Sequence, residues 1–213
     1  CKNMKVVSVT IENILSFVDQ MDVTLQTSSY GKINISTVFG GDTFVICQAS
    51  DFNLTIDKKN AKKFVTIAKE IISETNNKIG FKHPFLPDLN YISFCQFIEP
   101  ITINNYGIKE GKNTVCIRPG KLDRSPCGTG TSARLALMRA KNEINIKEKF
   151  ISKSIIDSKF ESFVKDENFY KDRKMITPSV KGSAFITGMQ EMYFSDSDPF
   201  PYGYKLNDTW PDN

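Results

Sequence analysis

Residues 123–134 read DRSPCGTGTSAR, and the ten that follow, LALMRAKNEI, are rich in good helix formers. Pro126 stiffens the approach to a helix, and Cys127 stands at its mouth. Gly128 and Gly130 carry no side chain, so backbone N–H groups can face a ligand. A helix N-terminus of this kind is an anion site, and it lowers a neighbouring thiol's pKa by stabilising the thiolate. Asp123 adds an acceptor for an ammonium or imino N–H. One short loop therefore offers a carboxylate cradle, a sulfur predicted to be activated, and a group that can hold a cation.

Several chemistries compete for such a loop. A nucleotide-binding P-loop requires a lysine after its last glycine, and Thr131 follows Gly130 here, so that reading is weak. A Cys–His hydrolase requires a histidine partner, and the one histidine in the chain, His83, precedes Pro84 in a proline-broken loop. A third reading is a thiolate base that moves a proton at a carbon next to a carboxylate. The fourth is a glycine-rich turn with an inert cysteine. Spacing alone leaves the last two open.

Outward from this loop, short strands dominate. Val6, Val7, Val9 and Ile11 are β-branched, residues 21–29 alternate, and 32–39 (KINISTVF) and 43–48 (TFVICQ) read as strands separated by Gly40-Gly41. Asp57 is placed to cap a helix over 58–75, with Phe64, Ala68, Ile71 and Ile72 on one face. Residues 91–99 and 113–118 are predicted strands. Beyond 150 the pattern predicts short strand pieces between charged loops, a last strand over 184–194, and an irregular tail. Many strands with two helices predict an α+β domain whose sheet curls around a helix.

The chain has 213 residues, 40% hydrophobic and 24% charged, enough for a sizeable core. It does not open on methionine, as a fragment or processed product would not. No apolar run reaches membrane-spanning length and no signal peptide is visible. Five cysteines without a CxxC pair predict neither a zinc site nor a disulfide scaffold, and point to a reduced cytoplasmic setting. Cys47, Cys95 and Cys116 sit in apolar runs and are read as core residues. The single histidine excludes a multi-histidine metal site. Lys58, Lys59, Lys62, Lys63 and Lys69 are read as a solvated helix face rather than a nucleic-acid footprint.

The string DRSPCGTGTSAR strongly resembles the proline racemase family, which includes proline racemases, 4-hydroxyproline epimerases and 3-hydroxyproline dehydratases. SVTIENILSF (8–17) is similar to the family's S-V-x-x-x-N-V-x-S-F segment. YGKINISTVFGGDTFVI (30–46) resembles its Y-G…G-G-x-F stretch, with Ser36 where the family usually has Asp. FITGMQEMYFSDSDPFPYGYKL (185–206) is similar to its closing segment. The resemblance implies a fold like diaminopimelate epimerase: two pseudo-symmetric lobes, each a β-barrel around a central helix, each supplying one cysteine to a site between them.

By motif match, Cys127 is implied to be the second lobe's catalytic base, and Asp123, Gly128 and Thr129 to bind substrate. Ile117 stands where many racemases carry a Phe that walls the proline ring, which implies a roomier pocket. Cys127 occupies the place that dehydratases fill with threonine. The first-lobe motif M-C-G-H-G-T is absent from these residues, and Cys1 is not in its context. The resemblance thus divides the chain into 1–20, the end of a first lobe; 21–180, the second lobe; and 181–213, a strand and tail returning to the first. It implies a small imino acid substrate, no cofactor, no metal, no nucleic acid, no membrane, and a homodimer when complete. The activity implied first is 4-hydroxyproline 2-epimerase. Proline racemase, a 3-hydroxyproline dehydratase-like member and an inactive binding lobe are the alternatives. This chain alone would be inactive.

Overall fold

The computed structural model describes residues 5–118, 120–171 and 173–204. Cys1 and residues 205–213, the end of the expected returning tail, lie outside the described residues. The alternating N-terminal stretches form β1 (Lys5–Glu12), β2 (Phe17–Gln26), β3 (Lys32–Phe39) and β4 (Thr43–Gln48). Helix α1 (Ala61–Lys78) follows a short 3-10 turn, and the Asp57 carboxylate accepts the Lys59 N–H at 2.8 Å, as the capping pattern predicts. Next come β5 (Phe94–Ile98), β6 (Thr102–Ile103), β7 (Lys109–Ile117) and β8 (Lys121–Leu122). Helix α2 (Gly128–Ala140) leads to β9 (Phe150–Lys153), β10 (Lys159–Tyr170) and β11 (Arg173–Phe185).

These strands make one sheet in the order β1-β11-β10-β9-β7-β5-β4-β3-β2, with β6 and β8 flanking β7. β4–β5 and β7–β9 are parallel pairs, and α1 and α2 lie on the connections that parallel pairing requires. Ser16 N–H donates to Ile176 O, and Ile176 N–H to Ser16 O, both at 2.9 Å, so the start of β2 is tied to β11. This closes the sheet around α2. β2 runs through residue 20, where its register with β3 shifts, and β11 runs through residue 181.

Both faces of the central strands are buried. Phe44, Ile46 and Val115 point toward α2; Val45, Cys47, Cys95, Phe97 and Cys116 point toward α1. That is why β4 reads as a continuous apolar run rather than an alternation. Helix α1 shows one apolar face to the barrel wall, through Phe64, Ala68 and Ile71. The five lysines 58, 59, 62, 63 and 69 are exposed. Helix α2 is different: its residues Gly130 to Met138 are all buried. It is the helix that the barrel wraps.

Two expectations fail at the C-terminal end. Residues 159–185 form one long hairpin, not short pieces, because alternate residues of β10 face solvent with charged side chains that disguise the strand. The strand expected over 184–194 does not form. β11 ends at Phe185, and 186–194 has no regular structure, with Met189, Met192, Tyr193 and Phe194 exposed. An apolar alternation becomes a strand only where a neighbour accepts its backbone bonds, and β11 finds its neighbours, β1 and β10, upstream of these residues.

Two contacts fix α2 in the barrel. The fully buried Arg134 donates to Lys112 O and Glu99 O, each at 2.8 Å, and its guanidinium lies 5.1 Å from the Phe150 ring centroid. Gly111 makes room: a Cβ there would sit 2.9 Å from Arg134 Cζ. At the helix start, Gly40 lies against the first turn. A Cβ on Gly40 would sit 2.9 Å from Ala133 Cβ and closer still to Thr129 O. Gly40→Ala is therefore expected to lower the unfolding free energy in urea by about 1–3 kcal/mol, the range for overpacking a filled core. Gly188→Ala, where an added methyl meets nothing within 4 Å, should shift it by less than about 0.5 kcal/mol. Equal losses at the two positions would show that Gly40 is not a packing constraint.

Candidate active site

The loop before α2 is built on the β7–β8 hairpin. Asp123 N–H donates to Val115 O at 2.9 Å, which brings the chain back across β7. The buried Asn113 on β7 then donates Nδ2–H to Pro126 O at 2.9 Å, and Ser125 Oγ accepts the Cys127 N–H at 3.1 Å. These bonds hold Cys127 at φ +65°, a left-handed value that β-carbon sterics disfavour for anything but glycine. Backbone strain of this kind costs about 1–3 kcal/mol and persists where its surroundings over-determine it.

From this position the Cys127 sulfur turns back on the helix it precedes. Sγ accepts the Gly130 N–H at 3.3 Å and lies 3.5 Å from Thr129 Oγ1. The Thr131 N–H is taken by Cys127 O at 2.8 Å. The remaining first-turn amides, those of Gly128 and Thr129, have no acceptor within the helix. Gly130 is confined beneath the thiol, since a Cβ there would sit 3.2 Å from Sγ and 3.0 Å from Val115 Cγ2. Gly128 faces open space within 4 Å. The two glycines thus serve different ends: one lets the sulfur sit on the helix, the other leaves the approach clear.

The protonation of the thiol differs from the sequence expectation. Burial pushes Cys127 up to about 11. The bonds from Thr129 and the Gly130 N–H pull it down, and the charge and hydrogen bonding of Asp123 push it up further. The helix terminus acts in the predicted direction, but desolvation of a thiol that is only 6% exposed outweighs it. Asp123 is half-buried beside this sulfur, so Asp123, Cys127, Gly128 and Thr129 come together. Ile117, the last residue of β7, packs half-buried against the cluster that contains Cys127 and Val115.

Other candidates separate from the loop. His83 packs its ring against Phe17 and Phe39, and its Nδ1 accepts the N–H groups of Phe85 and Leu86. Its partners are structural and none lies in the 123–134 loop. Cys47, Cys95 and Cys116 are buried on the α1 side of the sheet, where desolvation raises Cys95 far above an ordinary thiol and Cys116 to about 11. Ser36 is buried in β3, its hydroxyl accepting the Asp22 N–H at 3.1 Å.

Two supporting residues went unread in the sequence. Asn113 anchors Pro126, and its one signal is an amide in the middle of an apolar strand. Asn13 donates to Ser132 Oγ at 2.9 Å and to Gly40 O at 3.4 Å, tying the connection between β1 and β2 to α2.

The chain is similar in sequence and in fold to known proteins. A family model described as proline racemase matches residues 1–205. The fold is similar to the crystal structure of a hydroxyproline epimerase from Agrobacterium vitis with bound trans-4-hydroxy-L-proline, at 29% identity and a TM-score of 0.78, covering 95% of this chain and 57% of that one. It is similar also to a structure described as a probable proline racemase from Agrobacterium radiobacter K84 with bound carbonate, at 29% identity and a TM-score of 0.77, covering 95% of this chain and 58% of that one. The chain thus spans little more than half the length of either. With the match running nearly end to end and a barrel closed around the helix that Cys127 caps, this chain belongs to the proline racemase family.

Proposed function

We propose that this chain is the second lobe of a cofactor-independent epimerase that inverts the α-carbon of a cyclic imino acid, with 4-hydroxyproline as the substrate. The observation that carries this reading is the meeting of Asp123, the Cys127 thiol and the Gly128 and Thr129 amides at one helix end. The substrate carboxylate would take the two amides, its ring ammonium would take Asp123, and its α-hydrogen would face Cys127. As thiolate, Cys127 removes the α-proton from one face; as thiol, it returns one in the reverse direction. The amides hold the carboxylate as negative charge builds on it.

The raised pKa fits this cycle. In the free chain, burial, with a smaller contribution from Asp123, keeps Cys127 protonated. A bound ring ammonium would cancel the Asp123 charge and add a cation beside the sulfur, so the thiolate would form when substrate is in place.

Inversion requires a second acid–base group on the opposite face. The first-lobe motif is absent from this sequence, and we assign the second group to another lobe. Residues 1–20 would close that lobe, 21–180 form this one, and 181–213 return toward it. Exposed apolar residues support this assignment. Val7, Val9, Ile11 and Ile14 are each at least half exposed, as are Phe185 at the end of β11 and Met189 and Met192 beyond it. Exposed apolar side chains grouped on β1 and at the end of β11 suit an interface.

Ile117 favours 4-hydroxyproline over proline. Its side chain is smaller than phenylalanine and would leave room for a ring hydroxyl. In the complete two-lobed protein, Ile117→Phe is expected to lower kcat/KM for trans-4-hydroxy-L-proline relative to L-proline by about tenfold, the weight of a small pocket change. An unchanged ratio would remove Ile117 from the pocket.

Further outcomes test the base. In the complete protein, Cys127→Ser should slow α-proton exchange in D₂O by on the order of 10²–10⁴-fold, while Asp123→Ala should act chiefly on KM. A Cys127→Ser protein that inverts its substrate at near the parent rate would overturn the mechanism. This chain alone should show no turnover by polarimetry. Iodoacetamide labelling of Cys127 should rise about tenfold per pH unit from 7 to 10, following its thiolate, and level off near its pKa of about 11. Asp123→Asn removes the charge that raises that pKa, so labelling at pH 8 should become severalfold faster. No acceleration would mean that Asp123 does not act on the thiol.

A further inference from the structure

Beneath α2 the barrel wall carries a row of amide side chains across three strands. Gln96 on β5 is fully buried. Its chain neighbours, Cys95 and Phe97, belong to the core under α1, so Gln96 points the other way, toward α2. It stands opposite Ile46 on β4 and Val115 on β7, both in the core around α2. Gln48 on β4 and Asn113 on β7 are both registered with Ile98, two residues along β5. They therefore flank Gln96 diagonally on the same face, one on each side.

Among the described residues neither end of the Gln96 carboxamide has a partner, and the oxygens on its two sides, Gln48 Oε1 and Asn113 Oδ1, are likewise buried and unpartnered. Buried amides are costly to leave unpaired. These groups are complementary: the Gln96 amide nitrogen offers two hydrogens, and the two flanking oxygens are acceptors. Diagonal neighbours across an antiparallel pair lie ~7–8 Å apart, within reach of a long side chain. Asn113 is also the residue that holds the strained turn. Its Nδ2–H bonds Pro126 O at 2.9 Å, one residue before Cys127 at φ +65°. That bond requires the amide to turn its nitrogen, not its oxygen, toward the loop, and a donor on Oδ1 fixes which way it faces.

We propose that Gln96 is a positioning residue for the Cys127 turn: its Nε2–H donates to Asn113 Oδ1, directly or through one bound water, and so holds the Asn113 Nδ2 against Pro126. It touches no substrate. The proposal rests on Cys127 being the working thiol, not on which imino acid the protein takes. Backbone strain persists only where its surroundings over-determine it. The terminal torsion of an asparagine is broad, so Asn113 alone is a loose anchor. Gln96 adds the missing restraint from the neighbouring strand. It also gives a reason for an amide at the centre of the apolar run FCQFI.

The test uses this chain, with urea unfolding and with iodoacetamide labelling of Cys127 at pH 8. Gln96→Met keeps the length of the side chain and removes both polar ends. It should lower stability and speed Cys127 labelling at least about threefold, near the low end of couplings between contacting side chains. In an Asn113→Ala background the same change should leave the labelling rate where it is. Ile71→Val, which opens a small cavity in the core under α1, should lower stability without moving the Cys127 rate. Where a variant does not fold, the parent chain labelled with nitrogen-15 carries the test. Its Gln96 Nε2 protons should show an Overhauser contact to the Asn113 Nδ2 protons, or both groups to one water. A Gln96→Met chain more stable than the parent, an unchanged labelling rate, equal acceleration in Asn113→Ala or in Ile71→Val, or no such contact overturns the proposal. Every readout is taken without substrate, so the result stands apart from the epimerase reading.

Discussion

A charged side chain lies at the centre of this domain. Arg134 sits halfway along a helix buried on every side, and its guanidinium reaches across to the carbonyls of Lys112 and Glu99, on two neighbouring parts of the wall. Only the missing side chain at Gly111 lets it lie flat on β7. A purely apolar helix of this length could rotate or slide within an apolar barrel at small cost. Two directional bonds to fixed carbonyls give α2 one rotation and one depth. Burial pushes the Arg134 pKa down to about 10, so the group stays charged at neutral pH and the bonds keep their strength.

The geometry of the loop follows from that fixed helix. Once α2 is set, the position of its first turn is set, and Gly40 and Asn13 meet it from the opposite wall. Asn113 holds Pro126 from β7. Cys127 is then forced through a left-handed turn that no local preference would choose, and its sulfur lands on the Gly130 N–H. The strain at Cys127 is the local cost of aiming a thiol along a helix axis while leaving two amides uncovered. Desolvation comes with the same arrangement, because a sulfur packed against Val115 and Gly130 cannot also be well hydrated. A thiol here is positioned first and ionised second.

Much of this was legible in the residues. The glycine spacing around Cys127, the cap at Asp57 and the alternation of β2 and β3 each encode their structure within a few positions. The motif also named the four groups that meet at the helix end. Illegible were the features that depend on residues far apart in sequence. Nothing near Arg134 says that Gly111 clears space for it, and nothing near Pro126 says that Asn113 holds it. The sign of the Cys127 pKa shift escaped for the same reason: helix-end stabilisation is local, whereas burial is contributed by β7 and the barrel wall. The 159–185 hairpin was hidden by its charged outer face, and the apolar 186–194 segment misled because apolarity there faces outward rather than into this barrel.

The distribution of thiols over two sides of the sheet has a practical consequence for following the motions of this domain. Cys95 lies between β4 and β7 with no exposed surface, under α1, and a reagent reaches it only when the sheet itself comes apart. Cys127 keeps a small exposed surface, 6%, in the loop that leads into α2. A single reagent applied to one sample therefore reads two events at once: modification at Cys95 counts whole-domain openings, and modification at Cys127 counts excursions of the loop. Their ratio measures how far the chemistry-bearing turn can move while the barrel beneath it stays shut.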